Sequence, residues 1–321
     1  MFKRLINLFS LFFFICFGYN CYCAELLVIG ILQTVEHPAL DETYKGIKDT
    51  IEQKAHDLGI KVLYDTAQGD ANLAFQIAQK FISQNPKVIV TIGTMASQAC
   101  LKLTKNNHIP VVFSSITDPV GAGLVKDLRN TGTNFTGVGN FVPLEYQLKI
   151  FKKILPTLKR LGVIYNAGEE NSVKILNLLQ EEVRKFDIEL VSVAVNKSAA
   201  VSSAAYSLSK KVDAIFISHD NTVLSAMKVV IRAATNNKIP VFCGDIDTIG
   251  IGVMVAIGPD QYQLGKETAE MVLEILAGKS LKELPVTFPK EVKLYLNLKS
   301  AREIGHVFSE EVLKQADKIV G

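Results

Sequence analysis

The sequence of 321 residues contains no tryptophan, only five cysteines and no long run of like charge. Three of the cysteines, Cys16, Cys21 and Cys23, lie among the first 24 residues, so Cys100 and Cys243 are left for a folded domain. Each of these two is flanked by apolar residues in a different half of the chain. This setting favours unpaired packing residues over a disulfide or a metal site.

Signatures of common enzymes are also absent. The sequence has no Gly-x-Ser-x-Gly elbow and no Gly-x-x-x-x-Gly-Lys-Ser/Thr phosphate loop. The turn after the first apolar segment, residues 30–33, lacks the Gly-x-Gly-x-x-Gly of dinucleotide-binding folds. The five histidines are scattered without the spacing of metal ligands. We therefore expect a protein that is not an enzyme and holds no cofactor or metal.

The N-terminal residues have the features of an export signal. Lys3 and Arg4 precede an apolar stretch, residues 5–17, that is short for a bilayer span. We predict a signal peptide over residues 1–24, cleaved on export to the periplasm, in preference to a retained anchor. None of the three cysteines here follows the small residue that lipid attachment favours. Loss of the two basic residues lowers the formal charge from +3 to +1, so the remaining chain offers no basic field for nucleic acid.

The rest of the chain repeats an order of elements. Residues 106–113 return in similar form as residues 236–243, an offset of 130. Each copy follows a stretch with helical periodicity, and before that an apolar run, residues 88–94 and 214–220. Because this offset has the length of a domain, the repeat predicts two similar α/β lobes with a cleft between them.

The alternation of strands and helices indicates that each lobe is a doubly wound parallel sheet. We assign residues 25–116 with about 254–287 to the first lobe, and about 137–248 with about 290–321 to the second. Residues 117–136 and 249–253 are then hinge or crossover segments. Several connections between lobes predict a hinge rather than a flexible tether.

Polar residues collect where the predicted strands end, which is where open parallel sheets bind ligands. After residues 88–92, a glycine turn leads into a first helical turn whose free N–H groups suit a carboxylate or phosphate. Four further strand ends are similar, and each one alone is also typical of a helix cap. Together the five segments supply the candidate ligand-binding residues Thr94, Ser97, Thr117, Asp118, Glu170, Asn171, Ser172, Asp220, Asn221 and Asp245.

This set mixes groups for anions with groups for cations. Hydroxyls and amides suit an anionic head, and the four acids suit a cationic one, so a zwitterion such as a free amino acid would use both. The sequence leaves open which acid binds the amine. His37 and His219 also lie at strand ends and are candidates to face the ligand.

The residues in these segments resemble the tryptophan/tyrosine family of ABC transporter substrate-binding proteins. The resemblance covers essentially the whole chain after the signal and rests on residues 33–41, 93–98, 117–125, 164–172, 220–223 and 258–265. It implies a type I periplasmic binding protein fold and capture of an aromatic amino acid for a membrane permease. By the same resemblance, Gln33 joins the candidates, and Thr94, Ser97, Thr117, Asn171 and Ser172 would hold the α-carboxylate and neighbouring polar atoms.

Without tryptophan, an aromatic platform for such a ligand must come from phenylalanine or tyrosine, with Phe113, Phe141 and Tyr146 the nearest candidates. Capture by hinge closure needs only a monomer. The alternative function is a periplasmic sensor that presents its closed form to a signalling receptor. An enzyme on the same fold would need a nucleophile–base pair, and a sugar-responsive transcription regulator would need a DNA-binding head where the signal peptide lies.

Overall fold

A computed structural model describes residues 26–321, and the predicted signal peptide with its three cysteines lies outside this range. The first sheet has five parallel strands in the order β2-β1-β3-β4-β5. Its central strands are apolar and buried on both faces, as expected between two helical layers. The strands are β1 (Leu27–Gln33), β2 (Ile60–Thr66), β3 (Val88–Ile92), β4 (Val111–Ile116) and β5 (Phe135–Gly139).

The second sheet has seven strands in the order β12-β11-β10-β9-β8-β6-β7. All pairs are parallel except β10 with β11, which is antiparallel. The strands are β6 (Arg160–Asn166), β7 (Glu189–Val195), β8 (Ala214–Ile217), β9 (Val241–Cys243), β10 (Val255–Gly258), β11 (Lys293–Asn297) and β12 (Lys318–Val320).

Counted in chain order, the first five strands of each sheet lie side by side as second-first-third-fourth-fifth. This order is β2-β1-β3-β4-β5 in the first sheet and β7-β6-β8-β9-β10 in the second, as the repeated sequence suggests. Helices cover both faces of each sheet and bury four apolar clusters, two in each lobe. The helices are α1 (Pro38–Lys54), α2 (Ala71–Ile82), α3 (Thr94–Thr104), α4 (Leu144–Ile154), α5 (Glu170–Glu182), α6 (Val201–Leu208), α7 (Asn221–Ser225), α8 (Met227–Asn236), α9 (Gln261–Leu276), α10 (Leu298–Ile304) and α11 (Glu310–Gln315).

The chain changes lobe after the fifth strand of each half. After β5, helix α4 packs into the core of the second lobe through Leu148 and Phe151. After β10, helix α9 returns to the first lobe, where Ala269 and Val272 are buried against β1 and β3. A third crossing follows Thr287, which bridges to Val138 of β5 before the chain enters β11. Three connections therefore join the lobes.

These crossings correct the predicted lobe boundaries. Strand β5 completes the first sheet and β10 the second. Residues 137–139 therefore lie in the first lobe instead of the second, residues 255–258 lie in the second instead of the first, and residues 135–136 belong to β5 rather than to a crossover. Residues 117–134 and 249–253 are not crossovers, because Leu124 and Val125 pack in the first core and Ile249 and Val253 pack in the second. The repeat includes its fifth strand, which the short and glycine-rich sequence of β5 obscured.

The two cysteines in the described part of the chain are free and buried, as predicted. Cys100 packs in the first lobe and Cys243 in the second. Burial raises the pKa of each thiol to about 12, so neither is a thiolate at neutral pH.

Candidate functional site

A narrow cavity lies between the carboxyl ends of the two sheets, where the lobes face each other. Its volume, including the part open to solvent, is about 290 Å³. Both lobes contribute to its wall, so the structure is that of a closed cleft. The lining residues are His37, Ala39, Leu40, Thr94, Ser115, Thr117, Asn140, Asn171, His219, Asn221, Leu224, Asp245 and Gln261.

The first lobe turns two helix N-termini towards the cavity. Ala39 and Leu40 lie in the first turn of α1, and Thr94 begins α3 after the positive-φ turn at Gly93. Pro38 starts α1, and no side chain caps that helix. First-turn N–H groups lack intrahelical acceptors and carry the positive end of the helix dipole. This wall is therefore suited to a carboxylate.

The second lobe presents an unpaired carboxylate oxygen. Asp245 follows β9 and is 1% exposed. Its Oδ1 accepts a hydrogen bond from Gln261 Nε2 at 2.9 Å. Its Oδ2 is buried and has no hydrogen-bond partner among residues 26–321. A buried carboxylate oxygen without a donor is costly, and a bound ammonium would supply both the donor and the opposite charge.

Gln261 ties this carboxylate to the first lobe. Its Oε1 accepts hydrogen bonds from Thr43 Oγ1 at 3.1 Å and from Ser115 Oγ at 2.8 Å. With its oxygen so engaged, its amide nitrogen is the group that reaches Asp245. Ser115 lies at the end of β4 with a φ of 58°, a left-handed conformation that is uncommon for serine. The pairing of β4 with β5 shifts register at this residue, and Ser115 lines the cavity. Such unusual backbone conformations are often found at functional sites.

Two asparagines complete the wall of the second lobe. Asn171 donates from Nδ2 to the carbonyl of His219 at 2.7 Å, which leaves its Oδ1 as an acceptor. Asn221 donates from Nδ2 to Glu169 Oε2 at 2.7 Å, and its Oδ1 lies 3.2 Å from His37 Nε2 of the first lobe. Burial lowers the pKa of His37, although Asp245 and the hydrogen bond to Asn221 oppose the shift. Burial thus favours the neutral ring.

The structure brings together some of the predicted site residues and not others. Thr94, Thr117, Asn171, Asn221 and Asp245 line the cavity, as do both histidines that the sequence left as candidates. Six predicted residues do not line it: Gln33, Ser97, Asp118, Glu170, Ser172 and Asp220.

Three of these six are used inside their own lobe. Ser97 Oγ is 2.8 Å from Thr91 Oγ1 and donates to a carbonyl of the preceding turn. Asp220 caps α7 and accepts from Ser172 Oγ at 2.5 Å and from the Asn166 N–H at 2.6 Å. Burial and the nearby Glu169 carboxylate raise the pKa of Asp220, while these hydrogen bonds favour its charged form. Both of its oxygens thus already accept hydrogen bonds from its own lobe.

The other three lie at the ends of elements near the cleft: Gln33 ends β1, Asp118 follows β4 and Glu170 begins α5. Gln33 holds the loop after β1 through hydrogen bonds to Asp41 at 2.7 Å and to a backbone carbonyl. Asp118 of the first lobe forms an ion pair with Lys174 of the second at 2.8 Å. Hydrogen bonds from Lys174 and the backbone, set against partial burial, lower the pKa of Asp118. Glu170 lies close by, and burial together with Asp118 raises its pKa.

None of the three proposed aromatic platforms reaches the cavity. Phe113 is fully buried in the first core, Phe141 packs against the second core, and Tyr146 is exposed on α4. The flat surfaces that line the cavity are instead the two imidazoles, beside the aliphatic Leu40 and Leu224.

Sequence reasoning missed several lining or supporting residues, namely Ser115, Asn140, Gln261 and Glu169. Gln261 and Glu169 lie within the segments on which the family resemblance rests, and Ser115 lies at the polar end of an apolar strand, so the polarity of these segments was the available signal. Glu169 precedes the predicted Glu170 and is the buried one of the pair. Only the turn before α5 decides which of two adjacent acids points inward.

The described residues contain no group of three or more histidine, cysteine or acidic side chains placed to hold a metal ion. Within the same range, no helix combines the length and apolarity of a membrane span.

The sequence and the structure are both similar to those of known ligand-binding proteins. The chain is 35% identical over 300 residues to a tyrosine-binding protein of Clostridioides difficile, covering 90% of this chain and 86% of that one. A Streptococcus pneumoniae ABC domain solved in complex with L-Trp matches with a TM-score of 0.87 at 31% identity, covering 92% of this chain and 99% of that one.

A ligand-free, open structure of a substrate-binding protein with adhesive properties from Clostridium difficile matches with a TM-score of 0.68 at 32% identity, covering 92% and 99%. At nearly equal identity, the lobes of this chain are thus arranged more like those of the L-Trp complex than like those of the open protein.

The predicted fold class is confirmed, since solved solute-binding proteins with only 17% and 15% identity share it at TM-scores of 0.65 and 0.60. The family described as ABC transporter substrate binding protein matches residues 28–320. Members of this family bind substrates and do not transform them, which confirms the prediction of a non-enzymatic protein. The chain belongs to the family of ABC transporter substrate-binding proteins.

Proposed function

We propose that this protein captures an aromatic amino acid in the interlobe cavity and delivers it to the permease of an ABC importer. A tyrosine-binding relative and a relative in complex with L-Trp support the aromatic class. In the predicted setting, an exported monomer closes over its ligand in the periplasm and presents the closed form to the membrane subunits.

The observation that carries the proposal is the free oxygen of Asp245. It is the one of the four candidate acids that lines the cavity, and its Oδ2 lacks a hydrogen-bond donor within residues 26–321. We assign it to the ligand amine, together with the acceptor oxygen of Asn171. Across the cavity, the first turns of α1 and α3 with Thr94 hold the α-carboxylate. Opposite charges on opposite walls fit the two ends of a zwitterion.

The same geometry links binding to closure. The ligand carboxylate contacts the first lobe and its amine contacts the second, so the ligand favours the state in which both walls are close together. Gln261 reinforces this state by donating to Asp245 across the lobes. A permease that recognises the closed protein would thereby distinguish loaded from empty receptors.

Isothermal titration calorimetry of the purified protein against the twenty amino acids tests the proposal. We expect saturable heat for tyrosine or tryptophan and weaker binding or none for charged and small amino acids. Silence across the whole panel would refute the amino-acid assignment, and a preference for small aliphatic residues would refute the aromatic one.

A further inference from the structure

A chain of hydrogen bonds crosses the cleft and ends on a ring nitrogen in the cavity. It starts at Glu169, which is 5% exposed. Its Oε2 accepts from the Asn221 N–H at 3.0 Å and its Oε1 from the Thr222 N–H at 2.9 Å. Backbone N–H groups can only donate, so both oxygens of Glu169 act as acceptors here.

This fixes the orientation of the Asn221 amide. The side-chain atom 2.7 Å from Glu169 Oε2 must be a donor and is therefore Nδ2. The other amide atom, Oδ1, faces His37 Nε2 at 3.2 Å and can only accept. The contact consequently requires a hydrogen on Nε2 of His37. In a neutral imidazole, the remaining nitrogen, Nδ1, is then a bare acceptor.

Nothing in the described protein uses that acceptor. His37 is 4% exposed and lines the cavity, and its Nδ1 is buried without a hydrogen-bond partner among residues 26–321. Leaving such a buried acceptor unpaired is unfavourable, because it loses its bonds to water and gains none in the protein. Burial favours the neutral ring by lowering the pKa of His37. A neutral ring cannot present a second N–H to the cavity.

We propose that His37 Nδ1 accepts a hydrogen bond from the bound ligand, and that Glu169 is the positioning residue that holds His37 in this tautomer through Asn221. The proposal rests on the proposed function of the cavity and adds a requirement on the ligand. The ligand must offer an N–H or O–H donor at this point, either from its amine or from a polar group on its ring.

The arrangement is assembled across the lobes. His37 precedes α1 in the first lobe, whereas Asn221 and Glu169 belong to the second. The partners His37 and Asn221 are 184 positions apart in the chain and meet only where the lobes approach. The contact that fixes Nδ1 as an acceptor therefore forms only in the closed state, in which the ligand is enclosed.

Two substitutions separate the ring nitrogens. The side chain of His37→Gln can still donate to Asn221 from the place of Nε2 but has no atom at the place of Nδ1. His37→Asn keeps an amide oxygen near the place of Nδ1 and loses the contact with Asn221. If the acceptor matters, tyrosine binding should weaken at least tenfold in His37→Gln and less in His37→Asn. Equal losses would indicate a merely structural role for the ring.

The decisive readout is the ¹⁵N spectrum of histidine-labelled protein with and without tyrosine, with His37 assigned from the His37→Gln variant. We expect the Nε2–H tautomer in the complex and a shift of the bare Nδ1 resonance on binding. Glu169→Gln should convert His37 to a mixture of tautomers and weaken tyrosine binding about tenfold. An Nδ1–H tautomer in the wild-type complex would overturn the proposal.

Comparing tyrosine with two analogues shows which ligand group donates the hydrogen bond to His37 Nδ1. Phenylalanine lacks the ring hydroxyl, and 3-(4-hydroxyphenyl)propionate replaces the amine by a hydrogen atom, so each ligand lacks one of the two donors. The ligand that fails to move Nδ1 identifies the group that tyrosine donates. If tyrosine binds but leaves Nδ1 unmoved, this inference fails alone. If neither tyrosine, tryptophan nor phenylalanine gives heat by calorimetry, the proposed function fails with it.

Discussion

Replacing Asp245 by asparagine removes one negative charge from the cavity wall and keeps the shape of the side chain. Asparagine Oδ1 can still accept the hydrogen bond from Gln261 Nε2 that Asp245 Oδ1 accepts at 2.9 Å. The position of Oδ2 changes from an unpaired carboxylate oxygen to an amide. The variant therefore tests the charge rather than the packing.

The magnitude follows from burial. Two unit charges about 4 Å apart at an effective dielectric constant of about 20 attract by about 4 kcal/mol. Hydrogen bonds to charged groups contribute about 1.5–3 kcal/mol. A loss of about 2–4 kcal/mol corresponds to a decrease in affinity of roughly 30- to 1,000-fold. The free protein should respond in the opposite sense, because the substitution removes an unpaired buried charge and so raises the free energy of unfolding.

Calorimetry with tyrosine measures the affinity, and urea denaturation measures the stability of the free protein. Asp118→Asn and Glu170→Gln serve as comparators, since both acids were candidates but neither lines the cavity. We expect them to weaken binding by less than about tenfold, because neither lines the cavity and the partly exposed ion pair of Asp118 with Lys174 contributes at most about 1 kcal/mol. The reasoning is refuted if Asp245→Asn binds tyrosine as tightly as the wild type, or if a comparator shows the larger loss.

Three other perturbations test the surrounding structure. Burial and Asp245 raise the pKa of Asp247 to about 8, so the folded protein keeps a proton that the unfolded chain loses near pH 4. The free energy of unfolding should therefore fall as the pH rises from about 4 to 8. Asp247→Asn should resist urea better than the wild type at pH 9 but not at pH 4. Lys174→Ala breaks the interlobe ion pair with Asp118 and should weaken tyrosine binding up to about fivefold by calorimetry, a loss that 0.5 M salt should reproduce in the wild type. Gly265→Ala places a methyl group 2.1 Å from a backbone oxygen of α1 and should lower the free energy of unfolding by about 1–3 kcal/mol, whereas Gly250→Ala, with open space around it, should leave it unchanged.

Much of the fold was predictable because the repeated sequence pattern gives both lobes the same order of strands and helices. Apolar runs such as residues 88–92 and 214–217 are strands buried on both faces, and their order in the chain sets the order in each sheet. Strand β5 was not predictable from periodicity, since its sequence includes Gly137 and Gly139. Each glycine lies where a Cβ would collide with a neighbour, so packing rather than propensity places this strand.

The site was predictable at the level of segments and less so at the level of atoms. Every segment chosen at a strand end lies near the cleft, but polar residues there also cap helices and bind each other. Asp220 and Asp245 follow neighbouring strands, and the sequence treats them alike. The difference lies in the hydrogen-bond donors around each side chain. The Asp220 carboxylate accepts from N–H and O–H groups of its own lobe, whereas the Asp245 carboxylate accepts one hydrogen bond, from Gln261 of the other lobe.

A crystal structure of the protein bound to tyrosine tests the central claim most directly. The account predicts the ligand enclosed between the lobes, with its amine nitrogen within hydrogen-bond distance of Asp245 Oδ2 and its carboxylate at the first turns of α1 and α3. An amine directed to Asp118, Glu170 or Asp220, or a ligand bound outside the interlobe cavity, would contradict it.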